Sequence, residues 1–463
     1  MHSTLPLSRP AIALVLAVCA CSGSQNNGSS GGSGHDAGGP SGHGDGGGPT
    51  TTTSDGSVNV GPGTFTHPGV LVTQAQLDFV KGNLANDPWK SAFALAKASA
   101  LTATTYMPAT PQATILCGSQ SSGPDAALCK AEQSDSEAAY ANAVVWYLSG
   151  DATYAQRAIQ IMNAWSAVFT SHGTPLDPAA SNQFVQSGWT GSNWAPAAEI
   201  IRYTYNLNGG WAQADVDRFA GMLKSAYLPY VVTDDVRKPF VGDTSAGALV
   251  PNGNWEDVMI AAGMGIAVFL DDTDSFQKVL AMWRTRTPAY MYSLKDGPTP
   301  NPPPLAAGVA AYTSNQIAKY WGGPKTVQTF PLPSPDADGM GQETCRDVTD
   351  MHHQEYGYAG LIAAAETAHI QGVDLYGEEK DRIVAAFEFA AKYLNGAPVP
   401  SWLCPGSGLT VSAKGFNYEI GYNHYANRLG VPMPNTQALL AKIRPTDADH
   451  NMVFETLTHG DVH

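Results

Sequence analysis

The stretch SDSEAAYANAVVWYLSGDATYAQRAIQIMNAWSAVF, residues 134–169, decides the fold. It opens on Ser134-Asp135-Ser136-Glu137. This is the capping-box form, in which a small polar side chain and a glutamate three residues later satisfy free backbone N–H groups. Ala141, Val144, Val145 and Leu148 follow at helical spacing, and Gly150 stops the run. Thr153-Tyr154-Ala155-Gln156 opens a second run carrying Ile159, Met162, Trp165 and Val168. Two helices joined by so short a turn must be antiparallel neighbours.

The same pattern extends in both directions. Thr73-Gln74-Ala75-Gln76 is another capping signal, with Leu77, Val80 and Leu84 behind it. The spacing predicts further helices at about Asn193–Tyr205, Ala214–Val231, Trp255–Leu270, Asp274–Tyr292, Glu355–Gln371 and Glu378–Leu394. Pro- and Gly-rich loops, notably Asp296–Ala307 and Gly322–Gly341, lie between them. Helix hairpins in series imply an all-α protein, an (α/α) toroid in the form of an incomplete barrel. No short repeat consensus is present, so residues 63–463 read as one large domain.

Ahead of it, Arg9 precedes an apolar run, Ala11–Ala20, too short to span a bilayer. The run ends Val18-Cys19-Ala20-Cys21-Ser22, which resembles a bacterial lipoprotein signal with Cys21 as the lipidated residue. Residues 1–21 are therefore read as signal peptide. Residues 22–62, almost devoid of apolar side chains, are read as a disordered Gly/Ser-rich linker. The protein is expected to be exported and lipid-anchored, in the periplasm or on the cell surface, touching membrane through the anchor only. Two of the six cysteines fall in the signal. The other four, Cys117, Cys129, Cys345 and Cys404, suggest two disulfides in an oxidising compartment. Near neighbours pair most simply, giving Cys117–Cys129 and Cys345–Cys404.

Only 14% of the 463 residues are charged, and the net charge is −15. That balance excludes a nucleic-acid partner, which wants a basic face. An anionic substrate would need a locally basic or hydrogen-bonding site. Gly263-Met264-Gly265 lacks the third glycine of a dinucleotide loop, and neither a phosphate-binding loop nor a zinc motif occurs. No cofactor and no metal is expected.

Chemistry concentrates in three segments: Asn252-Gly253-Asn254-Trp255-Glu256; Gln342-Glu343-Thr344-Cys345-Arg346-Asp347 running on to His352-His353-Gln354-Glu355-Tyr356; and Tyr422-Asn423-His424-Tyr425. At these segments the chain resembles the alginate lyase superfamily, in particular the branch with N-x-N-W-E, Q-E-x-x-R-D…H and Y-N-H-Y motifs. Gln371-Gly372-Val373-Asp374-Leu375-Tyr376-Gly377 adds to the likeness, which runs from about His67 to His459. The resemblance implies an (α/α) toroid and metal-independent β-elimination on a 4-linked uronate-containing glycan, alginate or glucuronan-like. Where the best-known alginate lyases carry a histidine beside paired asparagines, Trp255 follows Asn254 here.

A lyase removes the proton beside a uronate carboxylate, and negative charge grows on that carboxylate. Donors must be aimed at it, and proton carriers at the two ends of the bond that breaks. Asn254 and Glu256, the latter as a buried protonated acid, fit the neutralising role, with Arg346 as a guanidinium fork. His353 is the expected base and Tyr356 the expected acid, since three residues' spacing puts them on one helix face. Tyr422 and His424, alternating in an extended segment, are the reserve pair. Asn252, Trp255, Tyr422, His424 and Trp194 are expected to bind substrate. Trp189 and Tyr203 are further stacking candidates.

Two other readings compete. An inverting glycoside hydrolase on the same fold would use two carboxylates such as Glu256 and Asp347. A non-catalytic glycan-binding lipoprotein would need only the aromatics.

Overall fold

The computed structural model describes residues 65–118, 123–174, 182–237, 253–305, 311–322, 326–347, 351–409, 411 and 418–462. Cys21, the signal, the linker and Asn252 lie outside the described residues. The chain begins with α1 (Gln74–Gly82) and α2 (Trp89–Ala98), then the hairpin α3 (Ala126–Ser149) and α4 (Ala152–Ser166). Next come α5 (Gln183–Thr204), α6 (Gln213–Met222), α7 (Leu228–Val231), α8 (Gly253–Phe269) and α9 (Thr273–Arg286). After α10 (Ser314–Gly322) follow α11 (His352–Ile370), α12 (Leu375–Glu378), α13 (Lys380–Leu394), α14 (Tyr418–Tyr422) and α15 (Pro434–Ile443). A short antiparallel hairpin, β1 (Ala448–Asp449) and β2 (Met452–Val453), precedes α16 (Glu455–His459).

The hairpin that opened the reading is present. Gly150 ends α3 in the left-handed conformation at φ 72, and Asp151 caps α4 by accepting from the Thr153 N–H. Thr73 caps α1 as expected, accepting from the Gln76 N–H at 3.1 Å. Other boundaries moved. α3 starts at Ala126, so Ser134 and Glu137 sit inside the helix and cap nothing. There the Ser136 hydroxyl donates back to the Gln133 carbonyl at 2.8 Å, the alternative use of a helical serine. α5 starts ten residues before Asn193, and the single helix expected over Ala214–Val231 is broken by a π-helical turn at Leu223–Tyr227.

α8 is the axis of the packing. All its residues except Trp255 are buried, as befits a helix apolar all round. It lies between α5 and α11 and against α9. Small residues let the backbones close up. A Cβ at Gly360 of α11 would come within 2.5 Å of the Asp257 carbonyl oxygen, and one at Gly188 of α5 within 2.7 Å of Val258 Cγ2. The glycines that weaken α5 as a helix in isolation are thus what fit it against α8.

Both expected disulfides are present, Cys117–Cys129 and Cys345–Cys404. The second closes a span of 59 residues, worth about 4 kcal/mol in the chain-entropy account. It pins the loop carrying Glu343, Arg346 and Asp347 to the chain beyond α13.

Candidate active site

The first turn of α11 organises the site. The Asp347 carboxylate accepts from the His353 backbone N–H at 2.7 Å, satisfying one of the free donors at the helix start. The same oxygen lies 2.7 Å from His353 Nδ1. Burial pushes the Asp347 carboxyl up, but the hydrogen bond and charge of His353 outweigh it, leaving the group below the usual carboxylate range. An ionised Asp347 makes Nδ1 the protonated nitrogen, so the imidazole exchanges a proton at Nε2. The ring is 27% exposed, open enough to receive a proton.

Tyr356, one turn on, is almost fully buried. Its phenol meets His352 Nε2, lies 3.1 Å from His450 Nδ1, and lies 3.4 Å from an Asp449 oxygen. Burial, and then the Asp449 charge, hold the phenol well above the ordinary tyrosine range, so it is a proton donor in the resting site. The His353 and Tyr356 rings lie 6.1 Å apart, centroid to centroid. Trp189 of α5 closes the other side, with its ring 4.5 Å from His450 and 6.0 Å from Tyr356. Asp449, His450 and Trp189 form one wall of a cleft of about 410 Å³, which runs on to Lys130, Gln133 and Asn182. Glu137 lines it too, its carboxyl pushed up to about 7 by burial, against the Gln133 hydrogen bond and helped by Asp449. Below that pH it adds little repulsion to an acidic polymer.

The first and second motif segments converge here. The Asn254 backbone N–H donates to Glu343 at 2.9 Å, and Arg346 Nη1 lies 3.6 Å from the other Glu343 oxygen. Tyr290 donates to Glu343 at 2.9 Å and reaches the His353 carbonyl at 3.3 Å. Asn254 is buried, and its side-chain oxygen has no hydrogen-bond partner among the described residues. Trp255 packs with Val185, Trp189 and Val258 beside the cleft wall.

Four expectations are corrected. Glu256 is not a protonated acid: Arg237 and Arg286 both bind its carboxylate, with Nε donors at 3.0 Å on each side. Burial raises the carboxyl, but the Arg286 charge, with Arg237, drives it below its usual range. Its neighbour Asp257 has no hydrogen-bond partner for either carboxyl oxygen among the described residues, and burial drives that carboxyl well above the usual range. The extended segment at Tyr422–His424 is helical: α14 passes directly into a π-helical turn at Asn423–Arg428. Alternation is lost, and the reserve pair does not form. His424 instead stacks on Tyr376 at 3.8 Å and lines a separate depression with His369, Asp374 and Lys380. Trp194 is wholly buried and donates to Tyr227 at 2.9 Å, so no sugar can stack on it. Tyr203 stacks on His67, away from the cleft.

Asp449 and His450 were not singled out from the sequence, and His352 and Glu137 were named there without a role at the site. For His352 a signal existed, since it stands four residues before Tyr356 on one helix face. For Asp449 and His450 only a polar run near the end of the chain, Asp447-Ala448-Asp449-His450-Asn451, marked the place.

Residues 109–301 match the sequence model of the family described as Alginate lyase. No curated protein matches in sequence. Among solved structures, alginate lyase A1-III from Sphingomonas species A1 superimposes with a TM-score of 0.53 at 17% identity, covering 86% of this chain and 97% of that one. A tyrosine-to-phenylalanine variant of A1-III, complexed with tetrasaccharide, gives a TM-score of 0.54 at 16% identity, covering 86% and 96%. An alginate lyase from Bacteroides ovatus gives 0.52 at 12% identity, covering 85% and 99%. The likeness in structure establishes the (α/α) toroid, and the family match agrees with the resemblance read from the motifs.

Proposed function

We propose that this chain, a polysaccharide lyase, cleaves a 4-linked uronate-containing glycan by metal-independent β-elimination, with alginate first among the polymers to try and a glucuronan-like polymer next. The observation that carries the reading is the Asp347-oriented His353 on the same helix turn as the buried, protonated Tyr356, beside Arg346 and the Trp189 wall. His353 Nε2 takes the proton from C5 of the uronate. Arg346 and the Asn254 amide face the carboxylate on which charge builds. The C4–C5 double bond forms as the C4–O4 bond breaks, and Tyr356 gives its proton to the departing oxygen. Every charge that develops has a side chain of this protein to meet it.

The inverting-hydrolase reading loses its two carboxylates, since Glu256 is locked between arginines and Asp347 is committed to His353. The test is an absorbance assay on a panel of uronate polymers. An unsaturated product absorbs ultraviolet light as turnover proceeds. New reducing ends without that absorbance would indicate a hydrolase, and neither signal a binder.

Export and lipid anchoring at Cys21 complete the proposal, supported by the lipoprotein-like Val18–Cys21 end of the signal and the tether that follows. Cys21→Ser should move the protein from the membrane to the soluble fraction. A variant that stays with membranes refutes the anchor.

A further inference from the structure

We propose that Asp449 and His450, at the tip of the β1–β2 hairpin, are a proton relay that restores Tyr356 after each turnover, and that Glu137 and Asn193 hold that tip in place. The inference rests on Tyr356 being the acid of the elimination.

The hairpin tip is built against local preference. His450 sits at φ 56, in the left-handed region that is strained for a non-glycine residue. Such a conformation persists only where the surroundings impose it, and here two helices do so. The Asn193 side chain of α5 donates to the His450 carbonyl at 2.8 Å, and the His450 backbone N–H donates to the Glu137 carboxyl of α3. Trp189 packs edge-on against the imidazole. The result is His450 Nδ1 at 3.1 Å from the Tyr356 oxygen, with Asp449 hydrogen-bonded to the same nitrogen and lining the same cleft.

The chemistry gives that placement a use. When Tyr356 has given its proton to O4, a phenolate is left in a buried site beside the Asp449 carboxylate, an unfavourable pairing of like charges. An imidazolium at His450, stabilised by Asp449, relieves it: the Nδ1–H bond breaks as the phenol O–H bond forms. His450 then takes a new proton from water in the cleft it lines, and His353 returns the C5 proton to water, so no proton is consumed overall. The titratable and charged groups around the relay are Asp449 on the hairpin and Asp447 just before it, His352, His353 and Glu355 on α11, Asp347 ahead of it, and Lys130 and Glu137 on α3. α5 contributes Trp189 and Asn193, which do not titrate. His450 is thus a positioning residue that acts through Tyr356.

The test uses the full chain on a uronate polymer that the parent degrades. His450→Ala should lower kcat about 10- to 100-fold with KM within about threefold, and should remove one limb of the kcat pH profile. Added imidazole should recover part of the rate in His450→Ala and none in Tyr356→Phe. His450→Asn tolerates the left-handed backbone and keeps a hydrogen-bonding group without a titrating one, so it should fold normally and stay slow. A His450→Asn variant with parental kcat and an unchanged pH profile overturns the relay while leaving the lyase intact. So does a folded His450→Ala that imidazole cannot rescue. If the parent degrades no uronate polymer, the lyase reading fails, and the relay with it.

Discussion

Two networks in this protein are made of nearly the same parts. In one, Ser187 Oγ lies 2.9 Å from His172 Nδ1, and His172 Nε2 lies 2.9 Å from Glu132. By connectivity this is a serine–histidine–carboxylate triad. In the other, Asp347 holds His353, and His352, Asp449 and His450 surround Tyr356. Access separates them. Ser187, His172 and Glu132 are entirely buried, and Tyr227, Gln186 and Thr190 also donate to the Glu132 carboxylate, at 2.6, 2.8 and 3.1 Å. No substrate reaches the serine, so this network fastens α3 to α5. The second reaches a cleft through Asp449 and His450, which line it. Geometry alone does not make a nucleophile; a fully satisfied buried network is structure.

Substitution can break the comparison. The largest effects belong to the open network. Tyr356→Phe and His353→Ala should each lower kcat about 10²–10⁴-fold, with little change in KM or melting temperature. Steady-state kinetics with circular dichroism decide it, and near-normal turnover in both variants would remove these residues from the mechanism. The sealed network should respond in the opposite currency. Burial opposes ionisation of Glu132, but His172 and the hydrogen bonds from Tyr227 and Gln186 hold it below the usual range, so it is a charged group. Glu132→Ala should cost about 3–5 kcal/mol of stability, because it leaves the buried partners unpaired. Denaturant unfolding measures this, and kcat per folded molecule should stay within about twofold. A stable variant with lost turnover would mean that the sealed triad is the chemical one. The smallest effect sharpens the contrast. Tyr422→Phe with His424→Gln, at a distance from both networks, should leave kcat within about twofold, since His424 is stacked on Tyr376 and burial lowers its pKa to about 4. A drop of a hundredfold would reinstate the pair.

The sequence went far on the fold because its signals are local. Helix periodicity, Gly150 after α3 and the Thr73 cap act within a few residues, and they appear where expected. Boundaries failed where tertiary packing overrode propensity, as at the glycines of α5 that meet α8. The polar segments and the family resemblance pointed to His353, Tyr356, Arg346 and Asn254, and the structure brings Asn254 and Arg346 together at Glu343 and the rings of His353 and Tyr356 to 6.1 Å. Glu256 was legible as a residue and misread as a group. Its protonation depends on Arg237 and Arg286, which lie 19 and 30 residues away and carry no motif.

What the sequence by itself determined is therefore the helix-hairpin architecture, the four cysteines available to pair and the segments from which the chemistry is drawn. Each follows from spacing along the chain. Only the tertiary structure decided that Tyr356 faces a hairpin 94 residues further on, that Asn193 reaches across 257 residues to hold its tip, and that Trp194 is core while Trp189 is wall. Burial and the identity of charged neighbours set both protonation and access, and neither is a property of nearby sequence. They exist only once distant helices have packed.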